Sequence, residues 1–294
     1  MPPLVPNDTT GLYIGAWVDA LLPPLEDLLS TSAATHGTIS VAEYAIPTAD
    51  EDTVAWRCAV AIAASRLRYW PSHFFAWFGA LTDLDAVDPD LQVRMRVVLC
   101  KNLGSPDKNA PDSHLCGLVG ETLLGSILAR HDRGLGLPIL FEGHDWSVTD
   151  HGGDCLVVMA HNDELRFQLW ECKSIYGTTA TGTVIKEAAE QMHEHASEYL
   201  ARYATVAERD ALPDAVADML LRLQDLWIDD DASKFAGVSV STHHAKCTNG
   251  SFAQLDTILG LPVGRSHGSY TSAANFLAFS NQVRNLVWKG CGLV

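Results

Sequence analysis

Residues 155–175 contain two apolar segments that are separated by a short polar break. Residues 155–160 are apolar throughout, whereas residues 165–170 alternate between apolar and polar side chains, which is the period of a half-buried strand. Asn162 and Asp163, between the segments, tolerate positive φ and suit a two-residue hairpin turn. With these two residues at the tip, the numbers of every facing pair sum to 325. We therefore predict a β-hairpin in this register.

Elsewhere the pattern switches between helical and strand periods. Helices are predicted over residues 53–70, 115–129, 183–204, 210–227, 252–259 and 271–288, and a helix over 16–29 would be interrupted by two prolines. Strands are predicted over residues 38–46, 91–99, 138–141 and 235–241. From residue 114 the order is helix, strand, hairpin, helix, helix, strand, helix, helix. This order predicts an α/β fold with a mixed sheet flanked by helices.

The segment Lys101–Ser113 is polar, with two prolines and a glycine, and it is the clearest linker signal in the chain. It predicts an N-terminal α/β region over residues 1–109 and a second unit over 110–294. The N-terminal region is a candidate for binding a partner. Its aromatic cluster at residues 70–78 could serve either as a partner surface or as core, and core packing is the stronger interpretation.

The composition favours a well-packed protein without a membrane span. Hydrophobic residues make up 47% of the 294 residues and charged residues 19%, and no apolar run approaches the roughly 20 residues of a span. The chain starts without a signal-peptide pattern. Its seven cysteines form no C-x-x-C pair, so reduced thiols and a cytoplasmic location are expected. No phosphate-loop motif is present, so the chain is not an ATP-driven motor by itself.

The charge distribution separates the last fifth of the chain from the rest. The formal net charge is −16, and residues 1–233 hold 15 of the basic and 35 of the acidic residues. Residues 234–294 contain five Lys and Arg residues against Asp256 alone. If the chain binds phosphate groups, the last fifth is the expected surface, although ordinary surface charge explains the pattern as well.

The hairpin register brings chemically active side chains to one place. Asp154 falls opposite Glu171, and Lys173 lies two residues further along the same strand face. Two neighbouring carboxylates repel each other unless a cation or proton lies between them, and hard divalent cations prefer such oxygen ligands. The acidic-x-Lys tripeptide alone is weak evidence, because chance gives about one match in a chain of this composition. The opposed aspartate strengthens the hypothesis of a metal-dependent site.

The order of elements and these residues resemble the PD-(D/E)XK nuclease superfamily over residues 114–245. Glu121 corresponds to the acidic residue on the first core helix of that family. Asp154 corresponds to the aspartate at the second strand, and Glu171-Cys172-Lys173 to its E-x-K motif. Gln191 matches the glutamine that often follows on the next helix. The family's proline before the aspartate is absent, and Gly152-Gly153 stands there instead.

A narrower resemblance is carried by three short motifs. Gly120–Leu124 reads G-E-x-L-L, His151–Asp154 reads H-G-x-D, and Leu169–Lys173 reads L-W-E-x-K. These motifs are similar to the nuclease subunit of Hachiman-type antiviral defence systems, which pairs a small nuclease with a separate helicase. The N-terminal third offers nothing comparable. The resemblance implies a DNA substrate and a protein partner such as a helicase.

Together, the resemblance and the residue types imply a restriction-endonuclease-like core that hydrolyses DNA with Mg²⁺ or Mn²⁺. Asp154, Glu171 and the backbone carbonyl of Cys172 are the expected metal ligands, and Glu121 is expected to support them. Lys173 is expected to orient the attacking water and stabilise developing charge, and Gln191 to position it. Two alternatives stay open: a catalytically inactive binding or regulatory subunit, and a metal-dependent phosphoesterase that acts on small nucleotides.

Overall fold

A computed structural model describes residues 14, 18, 22–83, 88–101, 103–129, 137–143, 154–162, 164–209, 212–248 and 250–294. Seven strands form one mixed sheet: β1 Ser30–His36, β2 Ile39–Ala45, β5 Leu137–Gly143, β6 Cys155–His161, β7 Glu164–Ile175, β8 Lys234–Thr242 and β9 Ser266–Ser272. Two two-residue strands, β3 Gly104–Ser105 and β4 Lys108–Asn109, form a separate small hairpin. The strand order in the large sheet is β1-β2-β9-β8-β7-β6-β5. Strands β2, β9, β8 and β7 run parallel, and the other neighbours are antiparallel.

Helices cover both faces of the sheet, which confirms the α/β fold. They are α1 Glu51–Arg66, α2 Pro71–Leu81, α3 Pro89–Leu99, α4 Asp112–Leu128, α5 Thr181–Arg209, α6 Asp214–Ile228, α7 Leu255–Leu259 and α8 Phe276–Gly290. Helices α1 to α4 and α8 share one hydrophobic core, and α5 to α7 share a second core on the opposite side of the sheet. The result is a layer of strands between two layers of helices.

The hairpin β6–β7 has the predicted register. His161 pairs with Glu164, and the pairing continues to Cys155 opposite Trp170. Asn162 at the turn has a φ of 49°, a left-handed conformation that asparagine tolerates better than most residues. One strand face carries Cys155, Trp170 and Cys172 into a small core with α4, as expected for packing residues.

The prediction of a strand over residues 91–99 was wrong, because this segment is part of helix α3. Its alternation of apolar and polar residues was interpreted as the strand period. The helix starts at a strong signal: the Asp88 carboxylate accepts hydrogen bonds from two backbone N–H groups, and Pro89 occupies the first turn. Only Met95 and Leu99 of this helix are buried, so the alternation does not correspond to a buried face.

Strand β9 is absent from the predicted elements, and its last two residues were predicted to begin the helix over residues 271–288, so that part of the prediction was wrong. Its sequence SHGSYTS lacks a run of apolar residues, yet all but one of its residues are buried between β2 and β8. Gly268 is required there, because a Cβ atom at this position would lie 2.9 Å from both Phe252 and Val41. This segment therefore forms a strand because it pairs with two neighbouring strands, and its own hydrophobic pattern does not predict it.

The N-terminal hairpin and the later strands belong to one sheet, since β2 pairs with β9. The sheet therefore crosses the division predicted at residue 109, which stays a prediction about domain organisation. Of the predicted helix over residues 16–29, residues 16, 17 and 19–21 lie outside the described residues, and residues 22–29 contain only a short 3-10 helix at Leu25–Leu28. All seven cysteines lie in described parts of the chain and are thiols. None of the described helices is long and apolar enough to cross a bilayer.

Candidate active site

Asp154 lies immediately before β6 and is held against β7 by its backbone and its side chain. Its N–H donates to the Trp170 carbonyl at 2.7 Å, and its carboxylate accepts a hydrogen bond from the Cys172 N–H. The Asp154 N–H bonds one residue off the predicted register, and the regular ladder ends at the Cys155–Trp170 pair. Asp154 is nevertheless close enough to Glu171 for the charge of Glu171 to add to burial in raising the Asp154 pKa.

Lys173 connects the strand to the helix that follows it. Its ammonium group donates to Glu171 Oε1 at 2.6 Å and to Gln191 Oε1 of α5 at 2.9 Å. Residues 171 and 173 share the β7 face that packs against α5, so the helix delivers Gln191 directly to this face. The predicted association of Glu171, Lys173 and Gln191 is thus present in the fold.

Glu171 is almost completely buried, with 1% of its surface exposed. Its Oε1 atom pairs with Lys173, whereas Oε2 is buried and has no hydrogen-bond partner among the described residues. A buried carboxylate oxygen without a partner destabilises the fold, because it has lost its hydrogen bonds to water and forms none within the protein. This atom is suited to accept a hydrogen bond or to bind a cation.

The backbone of Cys172 contributes a second kind of oxygen. In a strand, the N–H and C=O groups of one residue point to the same neighbouring side. Because the Cys172 N–H reaches the Asp154 carboxylate, the Cys172 carbonyl faces the same edge. The side chain of Cys172 is instead buried in the core beside α4. Only its backbone can therefore serve the site.

Helix α4 brings Glu121 towards the strands through a close approach at Gly120. A Cβ atom at Gly120 would lie 2.7 Å from Ser174 Oγ and 3.2 Å from Ser241 Oγ, so a larger residue would push the helix away. The contact is fixed by Ser174 Oγ, which donates to the Cys116 carbonyl at 2.8 Å. The pair Gly120-Glu121 thus combines a packing residue with a half-buried carboxylate.

Burial is the main reason why all three carboxyl groups have a raised pKa. Burial, and then repulsion from Glu171, raise the pKa of Glu121 to about 7. Burial also raises the pKa of Glu171 to about 7, against the opposing effect of Lys173. Burial and the charges of Glu171 and Glu121 raise the pKa of Asp154 well above its ordinary value. Each shift shows that the ionised form of the carboxyl group is disfavoured in this site unless a positive charge lies nearby.

Lys173 stays charged in these surroundings. Burial opposes its charge, but the Glu171 carboxylate outweighs this effect and raises the pKa of the ammonium group. Its side chain is 31% exposed, so one side of the ammonium group remains accessible. A positively charged, partly accessible lysine beside three carboxyl groups is suited to hold an anionic substrate or a water molecule.

Arg66 at the end of α1 is a site residue that the sequence analysis missed. Burial lowers the pKa of its guanidinium to about 10, and the Glu121 carboxylate opposes that effect. Arg66 Nη1 donates to the Leu99 carbonyl of α3 at 2.9 Å. The available signal was an arginine within an otherwise apolar helix pattern, a position that demands a partner.

Among the described residues, no group of three or more His, Cys, Asp and Glu side chains is arranged so that it could hold a metal ion. Asp154, Glu171 and Glu121 interact electrostatically without forming such a group. Their donor atoms nevertheless fit Mg²⁺ or Mn²⁺, which take carboxylate and carbonyl oxygens. The partnerless Glu171 Oε2 atom is the observation that supports this fit.

The basic residues of the last fifth of the chain are mostly engaged within the protein. Lys234 pairs with Asp230 at 2.8 Å, Lys289 pairs with Asp83 at 2.8 Å, and Arg265 donates to the Asp231 carbonyl at 2.8 Å. Arg284 is buried beneath Trp288. These contacts weigh against the expectation that this segment forms the phosphate-binding surface.

No protein family and no curated protein matches the chain in the comparisons made. The interpretation of the site therefore depends on its own geometry and chemistry.

Proposed function

We propose that the chain is a metal-dependent endonuclease that hydrolyses phosphodiester bonds in DNA. The observation that carries the proposal is the partnerless carboxylate oxygen of Glu171 beside Lys173, Asp154 and Glu121. Buried carboxylates with raised pKa values next to a charged lysine are characteristic of functional sites. The resemblance to PD-(D/E)XK nucleases supplies the substrate class.

In this proposal Asp154, Glu171 and the Cys172 carbonyl hold a divalent cation, with Glu121 in support. When bound, the cation polarises a phosphate oxygen and makes a nearby water molecule more acidic. Lys173 orients the attacking water and stabilises the negative charge that develops on the phosphate. Gln191 fixes the direction of the Lys173 ammonium group through the 2.9 Å hydrogen bond between them.

We further propose that the chain acts in antiviral defence together with a helicase. The short motifs shared with the Hachiman nuclease subunit support this assignment. The sequence contains no motor motif of its own, and its net charge of −16 disfavours independent capture of DNA. A separate motor that delivers DNA would remove both obstacles.

The test is plasmid nicking by the purified chain in Mg²⁺ or Mn²⁺, alone and with the candidate partner. The comparison uses Glu171→Gln as the site variant and Glu190→Gln as the matched control, because Glu190 is an exposed residue that pairs with Lys186. Cleavage that is lost in Glu171→Gln and kept in Glu190→Gln supports the proposal. Cleavage that survives Glu171→Gln contradicts it.

The same preparations separate the two alternatives. Hydrolysis of small nucleotides that depends on Glu171, without any cleavage of DNA, would identify a phosphoesterase. If the wild type shows neither activity, with or without the partner, the chain is an inactive binding or regulatory subunit.

A further inference from the structure

The turn between α1 and α2 exposes two aromatic side chains side by side. Tyr69 is 61% exposed and Trp70 is 44% exposed, whereas the aromatic residues of α2 that follow are buried. The Arg68 guanidinium lies over the Tyr69 ring at 4.8 Å, and the Trp70 and His73 rings are 6.4 Å apart. Large exposed aromatic side chains that contact cationic groups are typical of binding surfaces.

The two segments that carry this surface are locally poor in acidic residues. Residues 53–82 and 91–106 contain no Asp or Glu, although the whole chain has 36 acidic and 20 basic residues. The basic residues of these two segments are Arg57, Arg66, Arg68, Arg94, Arg96 and Lys101. Arg94 of α3 is exposed and close enough to His73 to contribute, after burial, to lowering the pKa of that ring.

The surface adjoins the candidate active site through Arg66. The charge of this arginine interacts with Glu121, and its Nη1 atom bonds to the end of α3. Trp70 follows four residues later, and four residues reach at most about 14 Å. Helices α1 and α4 pack in one core, so Tyr69 and Trp70 follow the end of a helix that neighbours the helix carrying Glu121.

We propose that Arg68, Tyr69, Trp70, His73 and Arg94, here termed the aromatic–arginine patch, bind unpaired single-stranded DNA and lead it to the site. The proposal rests on the endonuclease function and names the form of its substrate. Exposed rings provide stacking surfaces for bases, and the arginines complement the phosphates. Bases in a duplex are already stacked on each other, so two exposed aromatic rings favour a strand whose bases are free.

The experiment measures fluorescence anisotropy of a labelled oligothymidylate of about 16 nucleotides, the upper end of typical binding-site lengths. The full chain carries Glu171→Gln and the buffer contains a chelator, so binding is measured without cleavage. Affinity is compared with that for a duplex of the same length at about 50 mM salt. The variants are Trp70→Ala, Tyr69→Ala, Trp70→Phe and Arg94→Ala. Arg222→Ala is the control, because Arg222 is an exposed arginine on α6.

We expect the single strand to bind more tightly than the duplex, within the micromolar range. Trp70→Ala and Tyr69→Ala should each weaken binding by about 5- to 100-fold, the usual effect of losing one stacked base. Trp70→Phe should retain most of the affinity because it keeps a ring. Arg94→Ala should reduce the salt slope by about 0.7, the effect of one phosphate contact to a single strand. Arg222→Ala should leave both quantities unchanged.

Wild-type affinity in Trp70→Ala and Tyr69→Ala, or an equal loss in Arg222→Ala, would overturn the proposal. An absence of single-strand binding would also overturn it. A dimer or protein complex that depends on the patch would assign the surface to a protein partner instead. Nicking of plasmid DNA is measured separately. If nicking depends on Glu171 but the patch variants bind DNA as tightly as the wild type, only the present inference fails. If patch-dependent binding persists in a chain that never cleaves, the endonuclease assignment fails instead.

Discussion

Lys173 contacts Glu171 and Gln191 at hydrogen-bond distance, and both contacts aim its ammonium group at the site. We expect Lys173→Ala to lower the cleavage rate by about 10²–10³, because it removes one electrostatic contact to the transition state. Circular dichroism should show an unchanged fold, since Glu171 can take up a proton once its ion partner is gone. Lys186→Ala is the control, because Lys186 forms an exposed ion pair on α5. Cleavage at the wild-type rate in Lys173→Ala would remove the catalytic role of this residue.

The raised pKa of Glu171 gives a prediction about pH and stability. Its value of about 7 in the fold lies above its ordinary 4.5, so the folded state binds this proton more tightly than the unfolded chain. The associated stability is present below the ordinary value and is lost as pH rises through about 7. Thermal unfolding without metal should therefore show Glu171→Gln gaining stability over the wild type between about pH 5 and about pH 8. A constant difference across this range would contradict the assigned pKa.

The effect of added metal ions on thermal stability is a second test of the same carboxyl groups. At about pH 8 Glu171 and Glu121, whose pKa values are about 7, are mostly ionised, and Mg²⁺ or Mn²⁺ should raise the melting temperature of the wild type as a ligand of the folded state. At about pH 5 protons occupy the same groups, so the increase should be smaller. Glu171→Gln should lose most of the metal effect, and Glu190→Gln should keep it. An equal increase in all variants at both pH values would indicate nonspecific binding.

At the scale of elements, the approach of α4 to the sheet depends on Gly120. Gly120→Ala places a methyl group 2.7 Å from Ser174 Oγ and should destabilise the fold by about 1–3 kcal/mol, the usual cost of overpacking. Gly117→Ala on the same helix meets its nearest neighbour only at 3.9 Å and should stabilise the helix by up to about 1 kcal/mol. Denaturant unfolding of both variants measures the difference. Equal effects would show that the close approach is unimportant.

Elements could be predicted from the sequence where local chemistry determined them. The β6–β7 register followed from alternation and from the turn residues, and it placed Asp154 at the end of the ladder, where its carboxylate meets the Cys172 N–H. Helix α3 was misinterpreted because alternation was given more weight than the Asp88 cap. Strand β9 escaped detection because its polar residues become buried only between two neighbouring strands. Arg66 was missed because its electrostatic interaction with Glu121 joins residues that are 55 positions apart.

At the scale of the whole molecule, the net charge of −16 should keep the isolated chain from binding duplex DNA tightly. We expect an affinity weaker than micromolar at physiological salt, because few basic residues are available to replace counterions. Most C-terminal cations are engaged within the protein, as with Lys289 and Asp83. Co-expression with a helicase should yield a stable complex on size-exclusion chromatography. Submicromolar duplex binding by the lone chain, with no complex, would contradict this prediction.

Strand β9 lies between β2 and β8, and it is synthesised more than 220 residues after β2. Until β9 has been made, the hairpin β1–β2 has no neighbour, and the four strands β8 to β5 end in an open parallel edge. Such edges are templates for aggregation, and long-range pairing of this kind folds slowly. A nascent chain therefore spends most of its synthesis with a divided sheet. Folding of this protein should for that reason depend on chaperone protection until its last strand is in place.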